Sequence, residues 1–423
     1  MFKSHVLLYS IFSLMMVGAV SSCSKKEEID EIEKEVVDVN LKGIELKKQP
    51  DQLVYFIGQP LNLAGIEVYG IYGDNTKKQI KISNENISGF SSDTPTDNMT
   101  VEITVKSFKA TFKVEVLPLK VTEGVLTGVV GNISELKLPD GIKSIGKAAF
   151  RNSKVTKVTL NEGLTHIGEE AFAWSKITEI HFPASLTTID PFAFYDCKNL
   201  KSVDLSHTAI KVIVGESFSY NTSIAELKLP NGLSEIGPQA FIQSTGLKEL
   251  KLPEGLLKIG NEAFRETGLV KLTLPNSVGF MDQRAFYYAE NLETVETYGA
   301  NPSTDIEQRI MNSSTFEGCN NLKSFAIPQG VRIIGQNTLS KAPFLSTMIL
   351  PATVEQINFN AFGISSLKSV IIEGETPAKA ATISGAWYGF PDKIEEIKVP
   401  QQSIEAYKAA PGWKEFARVI TKI

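Results

Sequence analysis

Gly141-Ile-Lys-Ser-Ile-Gly146-Lys147-Ala148 comes nearest to a reactive motif in this chain. Two glycines separated by four residues and followed by lysine match the spacing of a loop that wraps phosphate with backbone N–H groups. The hydroxyl that would hold Mg²⁺ is missing, because Ala148 stands in its place. The same glycine spacing returns at Gly232–Gly237 and Gly255–Gly260. The glycines are therefore read as turn residues of a repeat, and no nucleotide is expected. His166, His181 and His207 fall in successive repeats without a metal-binding spacing such as H-E-x-x-H. They are expected at the surface. No nucleophile elbow or distinctive carboxylate pair is present, so no catalytic residue, metal or cofactor is expected.

The three cysteines divide into two kinds. Cys23 follows Val6–Val20, an apolar run too short to span a bilayer comfortably. The boundary Val20-Ser-Ser-Cys23 resembles a bacterial lipobox, in which the cysteine becomes the lipidated first residue. That resemblance makes residues 1–22 a lipoprotein signal peptide and residues 23–39 a charged tether to the outer membrane. Ser24-Lys-Lys-Glu-Glu28 resembles the tag that exports some lipoproteins to the cell surface. Cys197 and Cys319 occupy one template slot, in Phe194-Tyr-Asp-Cys197 and Phe316-Glu-Gly-Cys319. Five coils of about 4.8 Å separate them by roughly 24 Å, beyond the ~7 Å limit of a disulfide. Both are expected as small buried core residues.

The elements that position these groups are repeats. Glu135-Leu-Lys-Leu-Pro-Asp-Gly-Ile-Lys-Ser-Ile-Gly-Lys-Ala-Ala-Phe150 returns as Glu226–Phe241 and Glu249–Phe264. One column can be followed through Leu136, Val158, Ile180, Val203, Leu227, Leu250, Leu272, Val295, Phe325, Met348, Val370 and Ile397. A fixed period of this size specifies a solenoid. Period-2 alternation sends Leu250 and Leu252 inward and Lys251 outward. Pro253 then ends the strand, because it has no N–H to donate. Leu256, Ile259, Ala263 and Phe264 return apolar groups to the interior. The motif Leu-x-Leu-Pro, apolar-x-x-Ile-Gly, Ala-Phe resembles the BspA-like subclass of leucine-rich repeats. The resemblance covers about two thirds of the chain and assigns residues 119–400 to the repeats and 401–423 to a C-terminal cap. Ile404, Tyr407 and Lys408 suit a short amphipathic helix there, with Trp413 and Phe416 covering the last coil.

Residues 40–118 follow another rule. Short alternating runs, among them Val101-Glu-Ile-Thr-Val105 and Ala110-Thr-Phe-Lys-Val-Glu-Val116, are separated by turn residues such as Gly73-Asp-Asn75. They predict a small β-sandwich. Tyr55-x-x-Gly58-x-x-Leu61-x-x-x-Gly65-Ile-x-Val68 resembles bacterial immunoglobulin-like domains. The expected fold is mainly β, a leucine-rich-repeat solenoid preceded by a small immunoglobulin-like sandwich. The sandwich is expected to act as a spacer.

The net charge of −5 and the absence of a basic cluster argue against a nucleic-acid partner. The outward strand columns carry mixed charge from Glu135/Lys137 to Lys271/Thr273, then change to Ser324/Ala326, Thr347/Ile349 and Ser369/Ile371. Ala326, Ile349 and Ile371, with Tyr298, form one candidate binding patch. An apolar patch is either covered by another segment or used as a contact site. The template breaks at Tyr298–Asn312 and Thr376–Phe390 could supply the cover or border a groove. A second candidate is the aromatic edge of Trp174, Tyr195, Tyr220, Tyr287 and Tyr288, which suits packing between coils, sugar stacking or a protein anchor. The repeat resemblance implies adhesion or recognition, with a host or extracellular-matrix protein as ligand, and the chain is expected to be a monomer. A glycan-binding lipoprotein of a nutrient-uptake system is the alternative.

Overall fold

The computed structural model describes residues 40–300, 309–363, 366–380, 390–391 and 393–423. The signal peptide, the tether and Cys23 lie outside the described residues, as do parts of both template breaks. The chain divides into two compact units at Leu117 and Pro118.

The first unit is a two-sheet sandwich. β1 (Leu41–Lys48), β3 (Glu67–Tyr72) and β4 (Lys77–Ile80) form one antiparallel sheet. β5 (Ile87–Ser88), β6 (Thr96–Val105) and β7 (Phe108–Leu117) form the other, and β2 (Val54–Phe56) adds parallel to β7. Alternation along β3 and β7 sends Val68, Phe112, Val114 and Val116 into a core shared with Tyr55, Val101 and Ile103. Tyr55 is fully buried, so its hydroxyl needs partners. It donates to the Gln52 carbonyl at 3.0 Å and accepts from the Asn62 N–H at 3.3 Å. β1 is a strand that the turn signals alone did not mark.

The second unit is a right-to-the-template solenoid with two parallel strand walls. The front wall begins at Glu135–Lys137, Lys157–Thr159 and Glu179–His181 and continues to Glu396–Val399. Its register pairs Leu136 with Val158 and Ile180, Leu250 with Leu272 and Val295, and Met348 with Val370 and Ile397. These residues are the column legible in the sequence. The rear wall is built from two-residue strands such as Ser144–Ile145, His166–Ile167 and Glu235–Ile236. A hairpin, Leu119–Thr122 with Val125–Val129, starts the rear wall. At the other end, Ile420–Lys422 adds to the front wall after Tyr407 and Trp413 are fully buried against the last coils. Tyr407 donates to the Gly374 carbonyl at 2.9 Å and Trp413 to that of Ala378 at 2.7 Å.

A ladder of phenylalanines runs through the interior. Phe150, Phe172, Phe194, Phe218, Phe241, Phe264, Phe286 and Phe316 stack in order, with centroids 4.7–5.5 Å apart and planes within 1–8° of parallel. Parallel planes at that centroid distance are offset stacks, a favoured aromatic geometry. Around each ring the backbone takes a left-handed conformation two residues before and two after, as at Gln239 and Gln243 around Phe241. Each such residue costs about 1 kcal/mol. The conformation turns N–H groups toward the next coil. Ala148, Phe150 and Asn152 donate to the carbonyls of Glu169, Ala171 and Ala173 at 2.7–2.9 Å. These contacts form a third wall that hydropathy does not reveal.

The repeat glycines serve two purposes. Gly141 and Gly163 have φ of +92° and +96° and are turn residues. Gly237 and Gly260 do not sit at positive φ; a Cβ on either would lie 2.6 Å from backbone of the preceding coil. Their reading as bend residues is corrected to close backbone approach.

Phe241→Ala is expected to cost about 3–5 kcal/mol, the range for a buried aromatic that leaves a cavity. Phe344→Ala, at a side chain 60% exposed, is expected to change stability by less than about 0.5 kcal/mol. Equilibrium urea denaturation of the two variants measures both.

Candidate binding surface on the solenoid

The front wall changes character along its length. Its N-terminal part is laced by ion pairs: Lys157 with Glu179 at 3.4 Å, Lys228 with Glu226 at 2.8 Å, and Lys271 with Glu296 at 2.9 Å. These pairs are exposed, so each contributes little to stability. What they do is fill the face with hydrated charge. From Ser324 onward the outward slots hold Ala326, Ile349 and Ile371, and Ile349 is 47% exposed. The three line one depression of about 420 Å³, with Phe325 and Met348 among its other walls. The sequence-derived patch is thus brought together at these three residues.

The template also departs from itself there. The front wall is broken into four ladders, and at the break between Ser324–Phe325 and Thr347–Leu350 an Ala326–Ile349 bridge joins the two sides. In the interior, the intervening phenylalanine slot holds Leu339, which is buried. Phe325 instead meets Phe316 edge-on, at 5.0 Å and 76°. A smaller residue thus stands in the stack and a larger one in the strand column, and Phe325 lines the depression.

Tyr298 belongs elsewhere. Grouping it with Ala326, Ile349 and Ile371 is corrected by its hydrogen bonding. Its hydroxyl donates to the Leu252 carbonyl at 2.7 Å, and Lys251 Nζ lies 4.4 Å from its ring centroid. It therefore reaches toward earlier coils, on the opposite side from Ala326. The inserted segment is also narrower than expected. Ile310–Met311 is a regular rear strand, paired with Phe280–Met281 and Ile333–Ile334. Lys379–Ala380 likewise pairs with Gln356–Ile357.

The aromatic edge divides in two. Trp174, Tyr195 and Tyr220 make a chain of contacts at 5.2 Å, and the Arg151 guanidinium lies 4.7 Å from the Trp174 ring. Their planes are inclined by 62° and 55°, so they present no flat platform. Tyr287 and Tyr288 form a separate pair at 4.5 Å. Lys341 Nζ donates to the Tyr288 hydroxyl at 2.8 Å, and Arg284 lies over Tyr287 at 5.3 Å. All five rings are half-buried between coils.

The motif-like residues are absorbed by the repeat. Lys147 pairs with Glu169 of the next coil at 2.7 Å. His166 is half-buried on the rear wall, with Nε2 2.8 Å from Asp190. His181 is exposed on the front wall and His207 in a turn, so the three do not converge. Cys197 and Cys319 are fully buried free thiols in one polar column with Ser175, Asn221, Ser244 and Thr267. Cys197 Sγ donates to the Phe172 carbonyl at 3.0 Å, and Asn221 Nδ2 to that of Phe194 at 2.9 Å. Cys197, Cys319, Asn221 and Thr267 thus fasten their side chains to the backbone around the phenylalanine ladder, a role the cysteine slot alone did not reveal. Burial pushes the Cys197 thiol up to about 12 and that of Cys319 higher still.

This geometry can be set beside known proteins. The BspA type leucine rich repeat region matches residues 128–220, 211–310 and 301–410, more than half of the chain. The chain belongs to that family. Residues 48–116 match a bacterial Ig-like domain of group 3. A leucine-rich repeat protein of Bacteroides ovatus is 18% identical, with 91% of this chain and 100% of that chain covered and a TM-score of 0.45. A leucine rich cell surface protein of Faecalibacterium prausnitzii is 21% identical over 75% and 96%, with a TM-score of 0.28. The pneumococcal vaccine antigen PcpA is 18% identical over 86% and 97%, with a TM-score of 0.34. Pectate lyase L of Thermoclostridium stercorarium is 33% identical over 70 residues, 16% of this chain. The chain spans 5% of that enzyme's length.

Cys197 and Cys319 are expected not to react with Ellman's reagent at about pH 8 in the native protein and to react fully in denaturant. The linkage sign follows from the raised folded value. The neutral thiol's contribution is complete below the unfolded value of about 8.5 and is lost as pH rises from there toward about 12. Denaturation midpoints should therefore fall with alkalinity, and less steeply in Cys197→Ala.

Proposed function

We propose that this BspA-type repeat protein is a non-enzymatic binding lipoprotein. It is tethered to the outer membrane through a lipid on Cys23, faces the exterior, and recognises a protein ligand through its solenoid. The observation that carries the reading is the half-exposed Ile349 between Ala326 and Ile371, in a depression beside a face otherwise occupied by ion pairs. Apolar surface gathered in one concavity and rimmed by charge has the composition of an interface centre, whereas catalysis would require converging polar groups. Lys323, paired with Glu293 at 2.9 Å, supplies charge at the rim. A host or extracellular-matrix protein is the ligand class that fits an adhesive role.

Ile349→Lys is expected to shift the melting temperature by less than about 2 °C, because surface substitutions cost little. It should lower binding by roughly tenfold to whichever member of an extracellular-matrix protein panel is captured by the wild type. Capture of no panel protein, or unchanged capture by Ile349→Lys, overturns the reading. Cys23→Ala is expected to move the chain from the membrane fraction to the soluble one. Protease treatment of intact cells is expected to remove the wild-type protein. Survival until the outer membrane is broken would place it in the periplasm.

A further inference from the structure

We propose that the hollow formed by Tyr298, Lys251, Glu254 and Asn231 is a subsite for a neutral sugar residue. It lies on the front wall, on coils N-terminal to the Ile349 depression, and has a volume of about 550 Å³. That falls within the ~300–1,000 Å³ of small-molecule sites.

The hollow is built by an interruption of the template. Thr294–Tyr298 extends its strand pairing as far as Tyr298 opposite Pro275. The chain is then pinned across earlier coils. Tyr298 donates to the Leu252 carbonyl at 2.7 Å, Asn276 Nδ2 donates to the Gly299 carbonyl at 2.9 Å, and the Ala300 N–H donates to Glu254 Oε1 at 3.2 Å. The Asn276 N–H in turn donates to the Tyr298 carbonyl at 2.8 Å. A wall held by four hydrogen bonds is ordered before a ligand arrives, which lowers the entropic cost of binding.

The chemistry selects the ligand class. Lys251 supplies N–H donors, Glu254 carboxylate acceptors, and Asn231 both. A sugar hydroxyl both donates and accepts, so vicinal hydroxyls match this alternation. An anion placed against Lys251 meets Glu254, and a cation placed against Glu254 meets Lys251, so neither sign of charge is favoured. The half-buried Tyr298 ring beside Pro253, with Lys251 Nζ 4.4 Å from its centroid, supplies the apolar surface for the C–H face of a pyranose. The subsite is independent of the protein-ligand reading, since it shares no lining residue with the Ile349 depression.

Saturation-transfer difference NMR of the full-length protein tests the assignment. The probes are maltotetraose, cellotetraose and mannotetraose, with tetragalacturonic acid as the acidic comparator. At least one neutral tetrasaccharide is expected to receive saturation at millimolar concentration, with tetragalacturonic acid receiving less. Asn231→Ala and Glu254→Gln are each expected to weaken that binding about fivefold, the loss of one hydrogen bond. Both alter exposed side chains, and glutamine keeps the oxygen that accepts from Ala300, so folding is retained and circular dichroism verifies it. Ile349→Lys is expected to leave the signal unchanged. Absence of transfer to every neutral probe, preference for the acidic one, insensitivity to both hollow variants, or loss in Ile349→Lys would overturn the assignment.

Discussion

The distance between adjacent coils, about 5 Å, governs this molecule. Parallel strand pairing fixes it on the front and rear walls, and offset stacking of Phe150 through Phe316 fixes it in the interior. The two determinants agree to within about 0.7 Å. Each coil can therefore repeat the last without accumulating strain. Glycine at Gly237 and Gly260 follows from the same constraint, because any Cβ would force the coils apart. So does the buried polar column, in which Cys197 and Asn221 donate to carbonyls of the preceding coil, Thr267 to that of Phe264 in its own coil, and Ser175 meets the Cys197 sulfur. One coil buries too little to stand alone; its neighbours complete both its hydrogen bonds and its core.

That constraint explains why residue patterns suggestive of chemistry lead to none. The phosphate-loop spacing at Gly141–Ala148 joins a turn glycine to a close-approach glycine, and its lysine is spent on Glu169. The paired cysteines are two rungs of a packing column. Histidines in successive coils lie on different walls, because a coil spreads its residues around its circumference. A repeated template generates regular spacing by itself, so regular spacing is weak evidence of a site here. Departures from the template carry more information. Leu339 in the phenylalanine slot, Phe325 in the strand column and Tyr298 beyond the usual strand end are three such departures, and Phe325 and Tyr298 each line a hollow of the front wall.

Much of the fold was legible because burial and periodicity are local properties. The inward column from Leu136 to Ile397 could be followed by eye, and every pairing given for it in the structure falls in that register. The sandwich was legible from alternation and turn residues, although β1 was not singled out. The third wall was hidden, since left-handed residues such as Gln239, Glu262 and Arg284 carry no compositional mark. The apolar patch was legible at Ala326, Ile349 and Ile371 because outward slots can be counted. Its membership was overdrawn at Tyr298, because the slot rule stops where the strand extends past its usual end.

Taken alone, the sequence determined a stacked solenoid, the register of its front column, the burial of Cys197 and Cys319, and the coils on which the outward face turns apolar. These follow from which side of a strand each residue occupies, a matter of parity along the chain. The tertiary structure decided where Tyr298 reaches, why Gly237 must be glycine, and that the aromatic edge breaks into two groups of inclined rings. Each depends on atoms of other coils, tens of residues away in the chain and about 5 Å away in space. No local pattern encodes that proximity, because it arises when the coils stack.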